Sequence, residues 1–296
     1  MSASRAITVA GCGAVSAAGW GVAELSLAYK AQALPAVGKL LPPAGSGAGA
    51  CDIHRVPPAP ALDFLRHPRL RRTSPISWFA AAAAMEAWGD GPRSTTRCGL
   101  VFAVMNACVQ YSSRFFSEVL REPATASPLI FPETVFNAPA SHLAVLCGLD
   151  GLVTTLIGGR GAFIDGVQQA SEWLSDGLVD ECLVVAAEEA DWLTAGGLSL
   201  LAPDLTGGEG AGALLLRRGG AGPRLTLAPG LAEYTLGSDA LYAVTGECMG
   251  AAAALQAALA AHLVTTGQCQ SAAILTNDFE NRAPAGLTIT AHSTEP

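Results

Sequence analysis

Apolar positions along this chain fall into two rhythms. Runs of strand length that are apolar almost throughout recur at "AITVAGCGAV" (6–15), "CGLVFAV" (98–104), "TTLI" (154–157), "ECLVVAA" (181–187) and "ALLL" (213–216). Runs without polar alternation predict strands buried on both faces. Helical segments lie between them. One is expected near Val22–Gln32, and an alanine-rich one follows "RRTSPISW", capped near Ser74 with Pro75 in its first turn. "YSSRFFSEVL" (111–120) reads as an amphipathic helix, and residues 162–176 as a further helix. Strands alternating with helices predict an α/β fold whose largely parallel sheet is covered on both faces. Leu34–Pro60 and Pro123–Pro139 carry no sustained period and predict an irregular excursion and a proline-punctuated loop. After "GPRLTLAPG" (222–230) the theme returns in miniature. A glycine turn is followed by a helix over 249–264 and strands at "SAAILTND" (271–278) and "AGLTITAH" (285–292). A long first half and a short second half are the expectation.

Two apolar stretches need separate treatment. The first 21 residues resemble a signal peptide in apolarity, but glycines at 11, 13, 19 and 21 fit a strand and tight turns better. Met249–Val264 is uncharged, yet it is short, alanine-rich and interrupted by Gln256 and His262, as in a buried core helix. No membrane span is expected.

Composition narrows the function classes. Half the residues are hydrophobic and only 14% are charged, which implies a generous core. A net charge of −8 argues against non-specific binding to nucleic acid or anionic membranes. Eight cysteines and five histidines are scattered without zinc-site spacing. That pattern fits reduced, buried thiols in a cytoplasm, with neither a disulfide framework nor a metal site. Gly11-Cys12-Gly13-Ala14-Val15-Ser16 is G-x-G-x-x-S, and no acidic residue ends a second strand about twenty residues later, so NAD binding is rejected and no cofactor is expected.

The stretch "TTLIGGRGAF" (154–163) poses the sharpest chemical question. A strand running through a glycine turn into a helix is where several folds mount a nucleophile. Here the turn carries Arg160, a cation at the positive end of a helix dipole, where it costs about 0.3–1 kcal/mol.

Four segments together resemble the β-ketoacyl synthases: "ITVAGCGAVSAAGWG" (7–21), the region 127–191 containing "TTLIGGRGAF", "GGEGAGALLLRR" (207–218) and "YAVTGECMGAAAALQAAL" (242–259). The resemblance covers nearly all of residues 6–218 and the remainder in patches. It implies a thiolase-like αβαβα layered fold with two pseudo-repeats. The first half would span 1–218, and a truncated second half, 219–296, would pack in the same globule.

The departures from the family bear on function. The family's acyl-accepting cysteine falls on Arg160, the histidine of its threonine–glycine–histidine turn on Glu247, and the preceding lysine on Tyr242. Its other catalytic histidine has no counterpart, since no histidine lies between His142 and His262. The short step from Gly230 to Tyr242 implies that the strand and helices carrying it are missing. The glycine-rich gate keeps Phe279 but carries Glu280, Asn281 and Arg282 in place of glycines. The family mechanism of condensation is therefore not expected, and no residue is assigned as catalytic.

Because the family's cysteine and that histidine face one another, Arg160 and Glu247 are expected to form a salt bridge plugging the former pocket. Otherwise Arg160 faces solvent in a site opened by the truncation, and Glu247 serves as a helix cap. Cys248 and Cys12 read as core thiols rather than displaced nucleophiles. Glu188, Glu189 and Asp191 could suggest a metal site, but Glu188 matches a strand-end glutamate common in the family, and a structural role is expected. Arg66, His67, Arg69, Arg71 and Arg72 form the one dense basic cluster, either a docking patch for an acidic acyl carrier protein or a solvated helix entrance.

The resemblance implies a non-catalytic subunit acting like a chain length factor. It would pair with an active ketosynthase, or with itself, through a surface near 98–110 and 150–165. Polyketide, aryl-polyene or fatty-acid-like biosynthesis would be the setting. An acyl-thioester transferase or hydrolase using Glu247 as base, and a stand-alone acyl-binding scaffold, are the competing readings.

Overall fold

The apolar runs assemble into one mixed sheet in a computed structural model that describes residues 6–43, 45–89, 97–149, 151–237, 239–276 and 285–292. In chain order the elements begin β1 (Ile7–Ser16), β2 (Gly19–Trp20), α1 (Val22–Ala31), β3 (Val37–Leu40), β4 (Cys51–His54), α2 (Pro75–Trp88), β5 (Cys98–Val104) and α3 (Val109–Arg121). There follow α4 (Ala138–Cys147), β6 (Val153–Ile157), α5 (Ala162–Ser175), β7 (Glu181–Glu188), α6 (Trp192–Leu201), β8 (Gly207–Gly208) and β9 (Gly210–Arg218). The remainder is β10 (Arg224–Thr226), β11 (Tyr234–Leu236), α7 (Tyr242–Thr245), α8 (Ala252–Thr265), β12 (Ser271–Thr276) and β13 (Ala285–Thr290).

The sheet runs β11-β12-β13-β10-β1-β9-β7-β5-β6. Strand alternation explains why the central strands read as unbroken apolar runs. Leu100, Phe102 and Val104 of β5 join a core formed with α2 and α4, whereas Val101 and Ala103 join a second core formed with α5 and α8. Each strand thus feeds two cores. Helix α8 is buried along almost its whole length and packs on β1 and β9 from one half and on β12 from the other. A helix packed against both halves of the sheet has little polar face to present, which accounts for its predominance of alanine and leucine. Its one amide, Gln256, donates from Nε2 to the Gly237 carbonyl at 2.7 Å.

The two halves share a plan. In the first, β9 lies antiparallel between β7 and β1; in the second, β13 lies antiparallel between β12 and β10. Helix α5 leads into β7 as α8 leads into β12. The first half contributes five main strands and the second four among the described residues. Only coil, residues 227–233, separates β10 from β11. That coil packs on β13, where Thr288 Oγ1 donates to the Ala228 carbonyl and accepts from the Gly230 N–H, both at 2.8 Å.

Several sequence expectations need correction. The sheet is mixed rather than largely parallel: β5–β6, β5–β7 and β11–β12 are parallel, while β1, β9, β10 and β13 pair antiparallel with their neighbours. Leu34–Pro60 is not wholly irregular, since β3 and β4 form a small sheet with β8. Pro123–Pro139 holds two 3-10 turns, and α4 begins at Ala138 with Pro139 in its first turn. Helix α6 and strand β11 lie in stretches without a clear period. Ser74 does sit at the N-cap of α2, but its side chain does not cap. Its hydroxyl donates to the Glu189 carboxylate, and that carboxylate accepts the Ile76 N–H at 3.0 Å.

The closeness of α8 to β9 is testable. A Cβ at Gly212 would lie 2.3 Å from the Ala254 carbonyl carbon, a backbone atom with no room to retreat. Gly212→Ala is expected to lower stability by about 1–3 kcal/mol through overpacking. Urea unfolding should show a lower midpoint at unchanged m, and an unchanged midpoint would contradict this packing.

Candidate functional site

The turn after β6 is built from Gly158, Gly159, Arg160 and Gly161, with Gly161 as the N-cap of α5. The Gly158 N–H donates to the Val104 carbonyl at 3.1 Å, which fastens the turn to the end of β5. On the opposite side, α7 ends at Gly246, whose φ of 72° is left-handed. A Cβ there would meet the Gly207 carbonyl oxygen at 2.7 Å, so only glycine serves at this crossing. The Glu247 N–H then donates to the Thr206 carbonyl, and the Gly208 N–H to the Glu247 carbonyl, both at 2.9 Å. Two backbone hydrogen bonds therefore fix where the Glu247 side chain starts.

These two turns bring Arg160 and Glu247 together. Arg160 Nε donates to Glu247 Oε1 at 3.2 Å, and Nη2 donates to Oε2, a bidentate fork. Both side chains are buried, at 8% and 0% exposure. Glu247 Oε1 also accepts the Met249 N–H at 2.7 Å, so the glutamate caps the turn before α8 as well as pairing. The Arg160 guanidinium carbon lies 5.6 Å from the centre of the Tyr242 ring, within cation–π range. Arg160 thus meets both Glu247 and Tyr242, the two other positions that the sequence resemblance singled out. Arg160 is not solvent-exposed, which removes the alternative of an opened site.

The remaining candidates fall elsewhere. Cys248 is fully buried, its thiol donating to the Thr245 carbonyl at 3.6 Å, and burial and the adjacent Glu247 raise its pKa; it is a core thiol. Burial pushes the Cys12 thiol up to about 12, away from nucleophile chemistry. Among the described residues no cluster of histidine, cysteine or acid side chains could hold a metal. Glu188, Glu189 and Asp191 are instead engaged by backbone N–H groups and hydroxyls. Arg66, Arg69, Arg71 and Arg72 are all exposed on the 3-10 turns and bend ahead of α2. Phe279 and the neighbouring gate residues lie outside the described residues.

Two neighbours of the site escaped sequence reasoning. His54 of β4 packs against Gly246, with its Cδ2 3.0 Å from where a Cβ would stand. Glu209 is buried and accepts from the Val56 and Ala190 N–H groups, with Arg55 3.7 Å away. An acid inside the glycine run "GGEG" was the available signal for Glu209; the remote histidine offered none. Beside Glu247 the interior is closed. The space bounded by Ile53, Asn106, Leu198, Gly207 and Met249 measures about 10 Å3, room for roughly one water.

No protein-family model and no curated protein matches the chain in sequence. Solved structures do. The ishigamide ketosynthase/chain length factor superposes with a TM-score of 0.80 at 17% identity, covering 97% of this chain and 100% of that one. A ketosynthase in complex with its chain length factor from Xenorhabdus doucetiae gives 0.74 at 15% identity, covering 97% and 98%. A type II polyketide synthase acyl-carrier protein in complex with its ketosynthase gives 0.74 at 14%, covering 97% and 99%. The chain has the ketosynthase fold. In that fold the junction of β6 and α5 faces the turn before α8, and this chain fills the junction with a guanidinium and the turn with a carboxylate.

A double-mutant cycle measures the pair. Arg160→Ala or Glu247→Ala alone leaves a buried charge without its partner and is expected to cost about 3–5 kcal/mol. The double variant should lose much less than the sum of the two, as read by chemical denaturation. Additive losses would show that the pair is not coupled.

Proposed function

We propose that this protein is a ketosynthase-fold subunit that does not condense acyl chains and instead pairs with an active ketosynthase, in the manner of a chain length factor. The observation that carries this reading is the buried fork between Arg160 and Glu247. A guanidinium neither attacks a thioester nor holds an acyl group. Both oxygens of Glu247 are engaged by Arg160 and the Met249 N–H, which leaves the hydrolase reading without a free base. The closed space beside Glu247 has no room for an acyl chain. Any chain this subunit helps to shape would lie at an interface with its partner.

The partner surface is supported by the edge of the sheet. β6 is the terminal strand next to β5, and Val153, Ile157, Leu152 and Val145 stand exposed along it and the adjoining helix α4. An edge strand with exposed apolar side chains is a template for a second chain. Two of the similar solved structures are themselves described as ketosynthases with chain length factors. The reading of 219–296 as a shortened second half fits a subunit that relies on its partner for chemistry. The exposed arginines 66, 69, 71 and 72, on a chain of net charge −8, fit electrostatic steering of an acidic carrier protein. Polyketide, aryl-polyene or fatty-acid-like assembly is the setting in which such pairs would work.

Co-expression with an intact ketosynthase from the same gene neighbourhood tests the pairing. The expected product is a stable 1:1 complex by size-exclusion chromatography with light scattering. Ile157→Lys, a charge on the exposed edge, should weaken it at least tenfold. A protein that stays monomeric, or pairs only with itself in the presence of ketosynthase, would overturn the reading.

Catalysis is tested separately by intact-mass measurement after incubation with acyl-CoA and acyl-carrier substrates. No covalent adduct and no turnover are expected. Either one would favour the transferase or hydrolase reading.

A further inference from the structure

Four consecutive residues at the end of β7, Glu188-Glu189-Ala190-Asp191, hold the connection between β5 and α3. Glu188 Oε1 accepts the Met105 N–H, and Oε2 accepts the Asn106 N–H at 3.1 Å. Glu189 accepts the Gln110 N–H at 2.9 Å, in the first turn of α3, and the Ile76 N–H at 3.0 Å, in the first turn of α2. The Ala190 carbonyl accepts from Gln110 Nε2 at 3.2 Å, and the Ser113 hydroxyl bonds the Asp191 carboxylate. These polar contacts matter because α3 has no fully buried residue of its own. The connection is also constrained: Ala107 sits at φ 57°, a left-handed conformation uncommon outside glycine.

Charge counting sets Glu188 and Glu189 apart. Four carboxylates, Glu188, Glu189, Glu209 and Glu247, are buried in this region. Arg160 pairs with Glu247 and Arg55 lies beside Glu209. Among the described residues, Glu188 and Glu189 receive neutral donors: backbone N–H groups, the Ser74 hydroxyl and the Asn106 side chain. The other titratable groups around them add no positive charge. Glu189 has Glu209 and Glu188 as neighbours; the Cys108 and Cys248 thiols and the Tyr111 phenol stand nearby, and Glu133 acts on Cys108 and Tyr111. Two buried carboxyls that face no cation among the described residues each favour the protonated form.

We propose that Glu188 and Glu189 form a proton-linked lock on α3, closed while the pair holds a proton and loosened when the proton leaves. Burial pushes Glu188 up to about 8 and Glu189 up to about 7, and the N–H donors lower these values without cancelling the effect of burial. The direction follows from linkage. In a released state the carboxyls are hydrated and titrate near about 4.3. The closed state therefore binds protons more tightly from roughly pH 4.5 up to its own pKa values, and raising the pH through that window favours release. Above about pH 8 the effect levels off. From pH 6 to pH 9 the released-to-closed ratio shifts on the order of tenfold through Glu189 and on the order of a hundredfold through Glu188. The lock concerns the seating of α3 and stands whichever partner the protein has.

Hydrogen exchange read by mass spectrometry tests it on the full chain. After correction for intrinsic exchange, protection of the 105–121 segment should fall on the order of tenfold or more between pH 6 and pH 9. Residues 182–186 in β7 report global opening, which hydrates the same two carboxyls and so shares their pH dependence. Exchange of 105–121 faster than 182–186 at every pH marks local release, and equal protection of the two segments would mark global unfolding instead. Glu189→Gln and Glu188→Gln should each reduce the pH dependence, and the double variant should abolish it. A pH-independent wild type, a dependence of the opposite sign, or an unchanged dependence in the double variant would overturn the lock. Should the variants fail to fold, the wild-type profile of 105–121 against 182–186 still decides between these outcomes.

Discussion

A guanidinium and a carboxylate buried together must satisfy one another, because water is not there to satisfy either. The Arg160–Glu247 fork imposes that requirement between the two halves of this fold. Meeting it fixes the turn after β6 relative to the turn before α8, and the surrounding backbone is shaped accordingly. Gly246 takes a left-handed φ of 72° to let its turn pass the Gly207 carbonyl. Glu247 then serves three elements at once: β8 through its backbone, α5 through Arg160, and the approach to α8 through the Met249 N–H. The unfavourable position of Arg160 at the start of α5 becomes intelligible. The carboxylate facing it outweighs a helix dipole effect of about 1 kcal/mol or less.

The same cluster shows two physical ways to bury a carboxylate. Glu247 does it with a cation and Glu209 with a more distant one, at 3.7 Å. Glu188 and Glu189 have only dipoles, so the proton takes the place of the cation. The difference has structural consequences. The fork locks two secondary-structure junctions through a charge pair, whereas Glu188 and Glu189 hold α2 and α3 by contacts whose strength depends on protonation.

Much of this was legible in the residues, for reasons that also explain what was not. The central strands were readable because β5, β7 and β9 are buried on both faces, which forces unbroken apolar runs. Helix α8 was readable as a core helix because packing against both halves of the sheet leaves little polar face. Strand direction was not readable, since burial alone does not distinguish a parallel neighbour from an antiparallel one, and β9 and β13 turned out antiparallel. The β3–β4 pair was hidden in a stretch rich in proline and glycine, because a small sheet packed under α6 needs only Leu40 and Ile53 as fully buried apolar anchors. The cap of α2 looked local, at Ser74, but its carboxylate comes from Glu189, far along the chain. The meeting of Arg160 with Glu247 was inferable only through likeness to a fold in which those positions face each other; nothing in the 87-residue interval between them announces it.

The second half of the sheet is more thinly covered than the first. Coil 227–233 covers part of β13, where the first half uses whole helices to cover its sheet. The thinner cover does not cost the fold its core, because α8 is buried against both halves. An arginine at the nucleophile position without its glutamate would have been a destabilising buried charge, and a glutamate alone would have remained a potential base. Together they neutralise each other, while the outer edge at β6 still presents exposed apolar side chains.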